Sequence, residues 1–374
     1  MEFLQVVILF ILLLLLVNLI QNLNRLRKQD ITKDPKIHPF VSVLIPARNE
    51  ENNIAGCVSS LLKSDYPRME IIVLDDNSTD KTFVMAKRLS AGRKNLRVVK
   101  GKKLPQGWTG KNWSCHQLSE VARGEWLLFT DADTRHSPRS ISIALASALQ
   151  SQSNFLTCIP GLVAKTWSEK LFMPIIQFAF LVLIPFRLLN IADDSRLPLG
   201  IGPFILIKND CYSSCGGHES IKGKIVDDMA LAKKVKRDRG KISVIDGTDI
   251  VSLRFYTSFK SLWKGFSKNC YVALGGSLYR LVGVFLGCYF LFIYPYLNLY
   301  AAIQAQQSLT LPLLQVLTIS LTRVIMALRF KASLLFALLH PFSIILVLSI
   351  LLNSFRLSLF KKKLEWKERF YLVK

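Results

Sequence analysis

The run Trp126-Leu127-Leu128-Phe129 leads without a break into Thr130-Asp131-Ala132-Asp133. Four apolar residues in line read as a buried strand, and two carboxylates follow it one residue apart. A strand that ends in Asp-x-Asp sets its charges at the carboxyl edge of a sheet, where open α/β sheets bind their ligands. Two hard oxygen donors at such an edge suit Mg²⁺ or Mn²⁺, which bind through one or two carboxylates and the phosphates of a substrate. The tripeptide alone is common, and a solvated turn explains it as well. Its weight comes from the rest of the chain.

Upstream, Val41-Ser42-Val43-Leu44-Ile45 reads as a strand that runs into Pro46-Ala47-Arg48-Asn49-Glu50. A helix follows over about Asn53–Lys63. Glu70-Ile71-Ile72-Val73-Leu74 is a second strand, and it too ends in carboxylates, Asp75-Asp76. Asp80 is placed to cap the helix that ends near Ala91. Leu96–Val99 is a third strand, residues 101–112 a Gly- and Lys-rich loop, and residues 113–123 a helix that leads to the Asp131 strand. Strands alternating with helices predict an α/β domain with a mostly parallel sheet. Two consecutive strand ends bearing Asp pairs are not what a purely structural sheet needs, because clustered carboxylates repel unless a cation sits among them.

Downstream, a Gly-led strand spans Gly200–Ile207, Gly216-Gly217-His218 follows, and Asp227-Asp228 open a helix. Acids in a first helical turn are favoured by the dipole alone, so this pair has a structural explanation beside any chemical one. Ile242–Asp246 is another strand. Residues 258–271 form a basic and aromatic helix, with Lys260, Trp263, Lys264 and Lys268, suited to a membrane surface.

Membrane segments account for the rest. Of 374 residues 51% are hydrophobic and the mean hydropathy is +0.31, too apolar for a soluble protein of this length. Phe3–Ile20 is apolar but for Gln5 and Asn18, and Arg25, Arg27 and Lys28 come after it rather than before. Residues 1–28 therefore read as an uncleaved anchor with its amino end outside and the next domain in the cytosol. Leu171–Phe186 is broken by Pro174 and Pro185, and predicts an interfacial helix over about 168–188. Leu281–Ala302 and Ala332–Phe355 are good spans within a membrane region over 278–356. Between them Leu309–Leu328 is apolar but carries Gln315 and Arg323. If it spans, the basic tail, 357–374, ends outside; if it is interfacial the tail is cytosolic while Arg323, Arg329 and Lys331 sit outside, and the cytosolic tail is the reading favoured. The formal charge of +23 then faces anionic lipid; no nucleic-acid motif is present. Seven cysteines without a Cys-x-x-Cys read as reduced thiols of a cytosolic domain.

Taken in order, Pro46–Glu50, Asp75–Asp80, Gly110-Lys111, Asp131-Ala132-Asp133 and Gly216-Gly217 with Asp227-Asp228 resemble glycosyltransferase family 2, the inverting enzymes with the GT-A fold. The resemblance covers roughly residues 40–270, within a domain set at 38–270. It implies a nucleotide-sugar donor. Pro46, Arg48 and Glu50 match the first-strand motif that contacts the nucleoside, Asp76 the acid that reads base or ribose with Asp75 beside it, and Lys111 a basic residue near the diphosphate. Asp131 and Asp133 match the metal-binding pair of the DXD motif, with Asp131 also near the donor. Asp228 matches the general base, and Asp227 stands where the family often has Glu; the two assignments can be exchanged. The Gln-x-x-Arg-Trp signature of processive members has no counterpart in Leu262–Asn269, which favours transfer of one sugar or a few.

Gly202-Pro203 through Gly216-Gly217-His218, His340-Pro341 and the ending Glu365–Tyr371 are similar to membrane glycosyltransferases of carotenoid (diaponeurosporenoate-type) and hopanoid pathways. That likeness implies a lipid acceptor and glycolipid synthesis by a multi-pass protein of the cell membrane, with His218 near the acceptor or in a structural turn. Two other readings stand beside it: a polyprenyl-phosphate glycosyltransferase, and a catalytically silent membrane scaffold. All six of Asp75, Asp76, Asp131, Asp133, Asp227 and Asp228 being present speaks against the scaffold.

Overall fold

The computed structural model describes residues 2–26, 34–35, 37–188, 199–360, 363–366 and 369–372. Arg27, Lys28, Asn190, part of the linker over 29–39, and Lys361, Lys362, Lys367 and Glu368 of the tail lie outside the described residues.

The first apolar run is one helix, α1 (Glu2–Arg25). Strands and helices then alternate: β1 (Val41–Ala47), α2 (Ile54–Leu61), β2 (Met69–Asp75), α3 (Thr82–Ser90), β3 (Leu96–Lys100), α4 (Gly110–Val121), β4 (Trp126–Phe129). After them come β5 (Thr134–His136), α5 (Ser140–Gln150), β6 (Phe155–Leu162) and α6 (Trp167–Leu183). The sheet is completed by β7 (Ile205–Lys208), α7 (Asn209–Ser214), α8 (Asp227–Arg237) and β8 (Ile242–Leu253). The remaining helices are α9 (Phe259–Ala273), α10 (Leu278–Cys288), α11 (Tyr294–Gln304), α12 (Thr310–Arg329), α13 (Leu334–Leu338) and α14 (His340–Phe360), before a ribbon of β9 (Lys363–Trp366) and β10 (Arg369–Leu372). A π-helical turn at Tyr289–Ile293 joins α10 to α11.

The eight-stranded sheet has the order β3-β2-β1-β4-β7-β6-β8-β5. The expected parallel pattern holds from β3 to β4. β7 then runs antiparallel between β4 and β6, and β5 lies antiparallel on β8. Along β1, Val43 and Ile45 point into a core with α2 and α5, while Leu44 points to the other face with Leu118 of α4 and Leu231 of α8. Both faces are covered, which is why the strands read as continuous apolar runs rather than alternating ones. Ala47 is in register with Asp75, and Leu44 with Phe129. The loops after β1, β2 and β4 therefore leave the sheet at one edge.

Four helical stretches are long and apolar enough to cross a membrane: Glu2–Arg25, Leu278–Gln304, Thr310–Arg329 and His340–Leu359. α1 and α12 lie side by side in the same direction. Gln315 Nε2 donates to the Gln5 carbonyl at 2.7 Å near one end, and Arg329 Nη2 to the Leu26 carbonyl at 2.9 Å near the other. The polar residues of α12 face inward, Gln315 at 0% and Arg323 at 2% exposure. An interfacial helix would turn them to water, so this packing differs from the interfacial placement expected for Leu309–Leu328. α6 packs against β6, α1 and α14. Its last carbonyls are satisfied from α1: Asn22 Nδ2 donates to Leu181 and Ile184, each at 2.7 Å, and Asn18 Nδ2 to Val182 at 2.9 Å. Two ion pairs join the end of α12 to β8, Arg329 with Asp246 and Lys331 with Asp249.

Candidate active site

The site is assembled from loops that leave β1, β2 and β4 and from the first turns of α4 and α8. After β1 the chain turns through Asn49, whose φ is 51°. Arg48 Nη1 donates to the carbonyls of Asp76 and Asn77 at 2.6 and 2.8 Å, which ties the β1 loop to the β2 loop. Glu50 accepts from Asn53 Nδ2 at 2.8 Å at the entry to α2. Asp80 accepts from the backbone of Thr82 at 2.9 Å and of Glu51 at 3.1 Å, but the cap position of α3 is Lys81, one residue later than the sequence suggests.

α4 starts at Gly110, so Lys111 sits in a helix rather than at the end of a loop, with Thr109 accepting from the Asn112 amide at 3.3 Å. A cation in a first helical turn opposes the dipole. Carboxylates offset this: Lys111 Nζ lies 2.9 Å from Asp131 Oδ1 and 3.5 Å from Asp227 Oδ2. Burial works against its charge, yet Asp131 and Asp227 outweigh burial and hold its pKa well above the usual lysine range.

The turn after β4 rests on a buried polar knot. Thr134 Oγ1 donates to the Asp131 carbonyl at 2.8 Å, Thr130 Oγ1 to the Pro203 carbonyl at 2.7 Å, and His136 Nε2 lies 3.0 and 3.1 Å from the two hydroxyls. Burial pushes the His136 pKa down to about 3, so the ring is neutral. Asp133 is pushed up to about 7 by burial and by the charges of Asp131 and Glu50. Across the site Asp228 accepts from the backbone of Gly202 at 2.9 Å and of Met229 at 2.8 Å. Burial, with Asp227 beside it, raises its pKa to about 6.

Two cavities meet here. The first, about 400 Å³, is lined by Pro46, Arg48, Glu50, Asp76, Lys111, Asp131 and Asp133, with Arg254, Phe255 and Tyr256 on its far wall. The second, about 460 Å³, holds Asp227 and Asp228 and is otherwise mainly apolar, with Ile159, Leu162, Ile176, Phe180 and Phe266. Lys111, Asp131 and Phe255 stand in the walls of both. Of the donor, metal and base residues picked from the sequence, only Asp75 lines neither cavity; it lies behind, accepting from the Ser78 amide at 3.3 Å.

His218 is a structural residue. It is 2% exposed, its Nδ1 is 2.9 Å from the Tyr212 hydroxyl, its ring packs on Phe129, and burial lowers its pKa to about 3. Sequence reasoning missed Arg254-Phe255-Tyr256. Arg254 is held by Glu169 of α6 at 2.8 and 3.2 Å, so its place depends on a contact 85 residues away in the chain. It also missed Gly202. A Cβ there would lie 3.2 Å from Lys111 Nζ, 3.4 Å from Asp228 and 3.6 Å from Asp131, so the bare backbone leaves the centre of the site open.

The donor set fits a divalent cation. Asp133 Oδ1 is buried with no hydrogen-bond partner, and the carboxylates around it repel one another. Among the described residues no group of three or more His, Cys, Asp or Glu forms a protein-only cage. Mg²⁺ and Mn²⁺ are held through one or two carboxylates, with the other positions left to water and substrate phosphates.

Three comparisons bear on this geometry. The profile described as "Glycosyl transferase family 2" matches residues 42–214. The 4,4'-diaponeurosporenoate glycosyltransferase of Staphylococcus aureus (strain MRSA252) is 29% identical over 247 residues, which span 64% of this chain and 63% of that protein. Among solved structures, the mannosyltransferase PcManGT from Pyrobaculum calidifontis, in complex with GDP-Man and Mn²⁺, superposes with a TM-score of 0.53 at 18% identity, over 95% of this chain and 99% of that one. The last likeness speaks to the fold, the first two to ancestry. On a GT-A fold with a carboxylate-lined sheet edge, residues 42–214, just under half of the chain, match glycosyl transferase family 2.

Proposed function

We propose that the protein transfers a sugar, with inversion, from a nucleoside-diphosphate sugar to an apolar lipid acceptor at the cytosolic face of the cell membrane. The observation that carries this reading is the pair of cavities joined at Lys111 and Asp131: one polar and acidic, one apolar with Asp228 at its seam. The first suits the donor, the second a lipid. The relative's name gives 4,4'-diaponeurosporenoate as what that protein glycosylates, and the apolar lining of the second cavity suits a lipid acceptor here.

Arg48, Glu50 and Asp76 would hold the nucleoside and Lys111 would face the diphosphate. Asp131 and Asp133 would hold Mg²⁺ or Mn²⁺ with the donor, and the ion supplies charge neutralisation for the leaving diphosphate. Asp228, with a pKa of about 6, is largely ionised near neutral pH and basic enough to take a proton. The acceptor hydroxyl gives its proton to Asp228 as its oxygen forms a bond to the anomeric carbon. The bond from that carbon to the diphosphate breaks, and its electron pair leaves with the nucleotide. One displacement inverts the centre and needs no enzymic nucleophile.

Residues 1–28 would anchor the chain, 38–270 carry catalysis, and 278–356 hold it in the bilayer with the 357–374 tail cytosolic. With α12 packed among the spans, a cytosolic tail requires α14 to lie along α9 instead of crossing; its support is that the two helices are bonded, Asn353 donating to Ser267 at 2.9 Å and the Tyr271 amide to Ser354 at 3.0 Å.

The test offers radiolabelled UDP- and GDP-sugars to membranes containing the protein, with and without Mn²⁺, and analyses the organic phase. Metal-dependent label in a neutral lipid is expected. Label in an acid-labile, anionic lipid would replace this reading with a polyprenyl-phosphate acceptor, and no label with any donor would leave a scaffold.

A further inference from the structure

Arg323 is buried in α12 at 2% exposure, and its Nε and Nη1 have no hydrogen-bond partner. His340, at the start of α14, is 0% exposed with both ring nitrogens unpartnered. Phe178 of α6 lies against both, its ring 5.5 Å from the guanidinium carbon and 5.1 Å from the imidazole. A charge within a membrane helix is retained where it meets a counter-charge or a functional ligand. Among the described residues, the elements packed here offer no free counter-charge. Residues 278–360 contain no Asp or Glu at all. On the other elements packed here, Glu2 lies at the far end of α1, and Glu169 of α6 is paired with Arg254. Asp246 and Asp249 of β8 are taken by Arg329 and Lys331.

We infer that Arg323, with His340 beside it, is a binding site for the oxyanion of a lipid, a carboxylate or phosphate oxygen that enters between α6, α12 and α13. Arg323 opens on a narrow crevice of about 10 Å³ with Gln177, Ala327, Ser333 and Ala337, room for one oxygen-sized group at its bottom. A guanidinium offers a fork of donors matched to such an anion. Gln177 stands in the wall of this crevice and of the apolar cavity that holds Asp228. The crevice and the apolar cavity therefore share the Gln177 wall, and the inference does not depend on the sugar chemistry.

The detergent-purified full chain would be mixed separately with dioleoylphosphatidylglycerol, oleate and neutral dioleoylphosphatidylcholine, and retained lipid counted by native mass spectrometry. At least tenfold preferential retention of an anionic lipid is expected, falling to the phosphatidylcholine level in Arg323→Gln. Retention of phosphatidylglycerol alone would assign a membrane phospholipid as the source, and of oleate alone an acidic apolar molecule. Equal retention by Arg323→Gln, or no preference in the unmutated protein, overturns the site. Should Arg323→Gln not fold, thermal stabilisation of the unmutated protein decides: a Tm that rises with either anionic lipid and not with phosphatidylcholine supports the site, and a Tm indifferent to all three sinks it.

Discussion

The amide of Gly202 donates to Asp228 Oδ2 at 2.9 Å, and the same glycine leaves Lys111, Asp131 and Asp228 open to a common space. A methyl group there would press on the Lys111 ammonium at 3.2 Å. The backbone of Gly202 does not need positive φ, so Gly202→Ala should fold. Turnover should fall by roughly 10- to 100-fold, since small misplacements of reacting groups carry that penalty. Lipid labelling and a melting curve on the same preparation check this; full activity would mean the space is not used.

Asp228→Asn should lower kcat by on the order of 100-fold or more and leave donor affinity nearly unchanged. In the unmutated protein kcat/KM should fall as pH drops through about 6, because only ionised Asp228 accepts a proton. The stability sign is opposite. A carboxyl whose pKa is raised on folding contributes most when protonated, and that contribution is lost as pH rises through about 6. Asp228→Asn should therefore melt higher than the parent at pH 8. A loss of donor binding with kcat intact would move Asp228 out of the base role.

Asp133 carries the same logic to the metal. Burial and the charges of Asp131 and Glu50 raise its pKa to about 7, a cost that a divalent cation would relieve. Mn²⁺ with UDP should raise the Tm of the unmutated protein, and Asp133→Asn should abolish both that rise and turnover. An unchanged Mn²⁺ response in the variant would remove Asp133 from the ligand set.

The strand ends were legible because their signal is local: an apolar run that stops in carboxylates states both the strand and its edge. Asp131 could be named for the same reason, whereas Lys111 and Asp228 were named through the resemblance of the motif order to a known family. What was not legible depended on distant packing. Arg254 is placed by Glu169, Gly202 matters through what its missing Cβ would meet, and His218 becomes structural through Tyr212 and Phe129. Asn18 reads as a blemish in the first span, yet it satisfies the end of α6. Gln315 and Arg323 suggested an interfacial helix because polarity shows in sequence, whereas the direction it faces does not.

Asp246 is one residue through which the membrane helices reach the sheet. It is 5% exposed, accepts from the Thr248 amide at 2.9 Å and from its hydroxyl, and pairs with Arg329, which also donates to the Leu26 carbonyl of the α1 end. One guanidinium thus joins α1, α12 and β8. Removing one partner of such a pair leaves a buried charge uncompensated and costs about 3–5 kcal/mol, whereas replacing both is far milder. Asp246→Asn and Arg329→Gln should each lower Tm, and the double variant should lie well above the sum of the two losses. The cavities do not contain these side chains, so donor binding by whatever folded protein remains should be normal. Additive losses in Tm would show that the pair is not coupled and that α12 is held to the sheet by apolar packing instead.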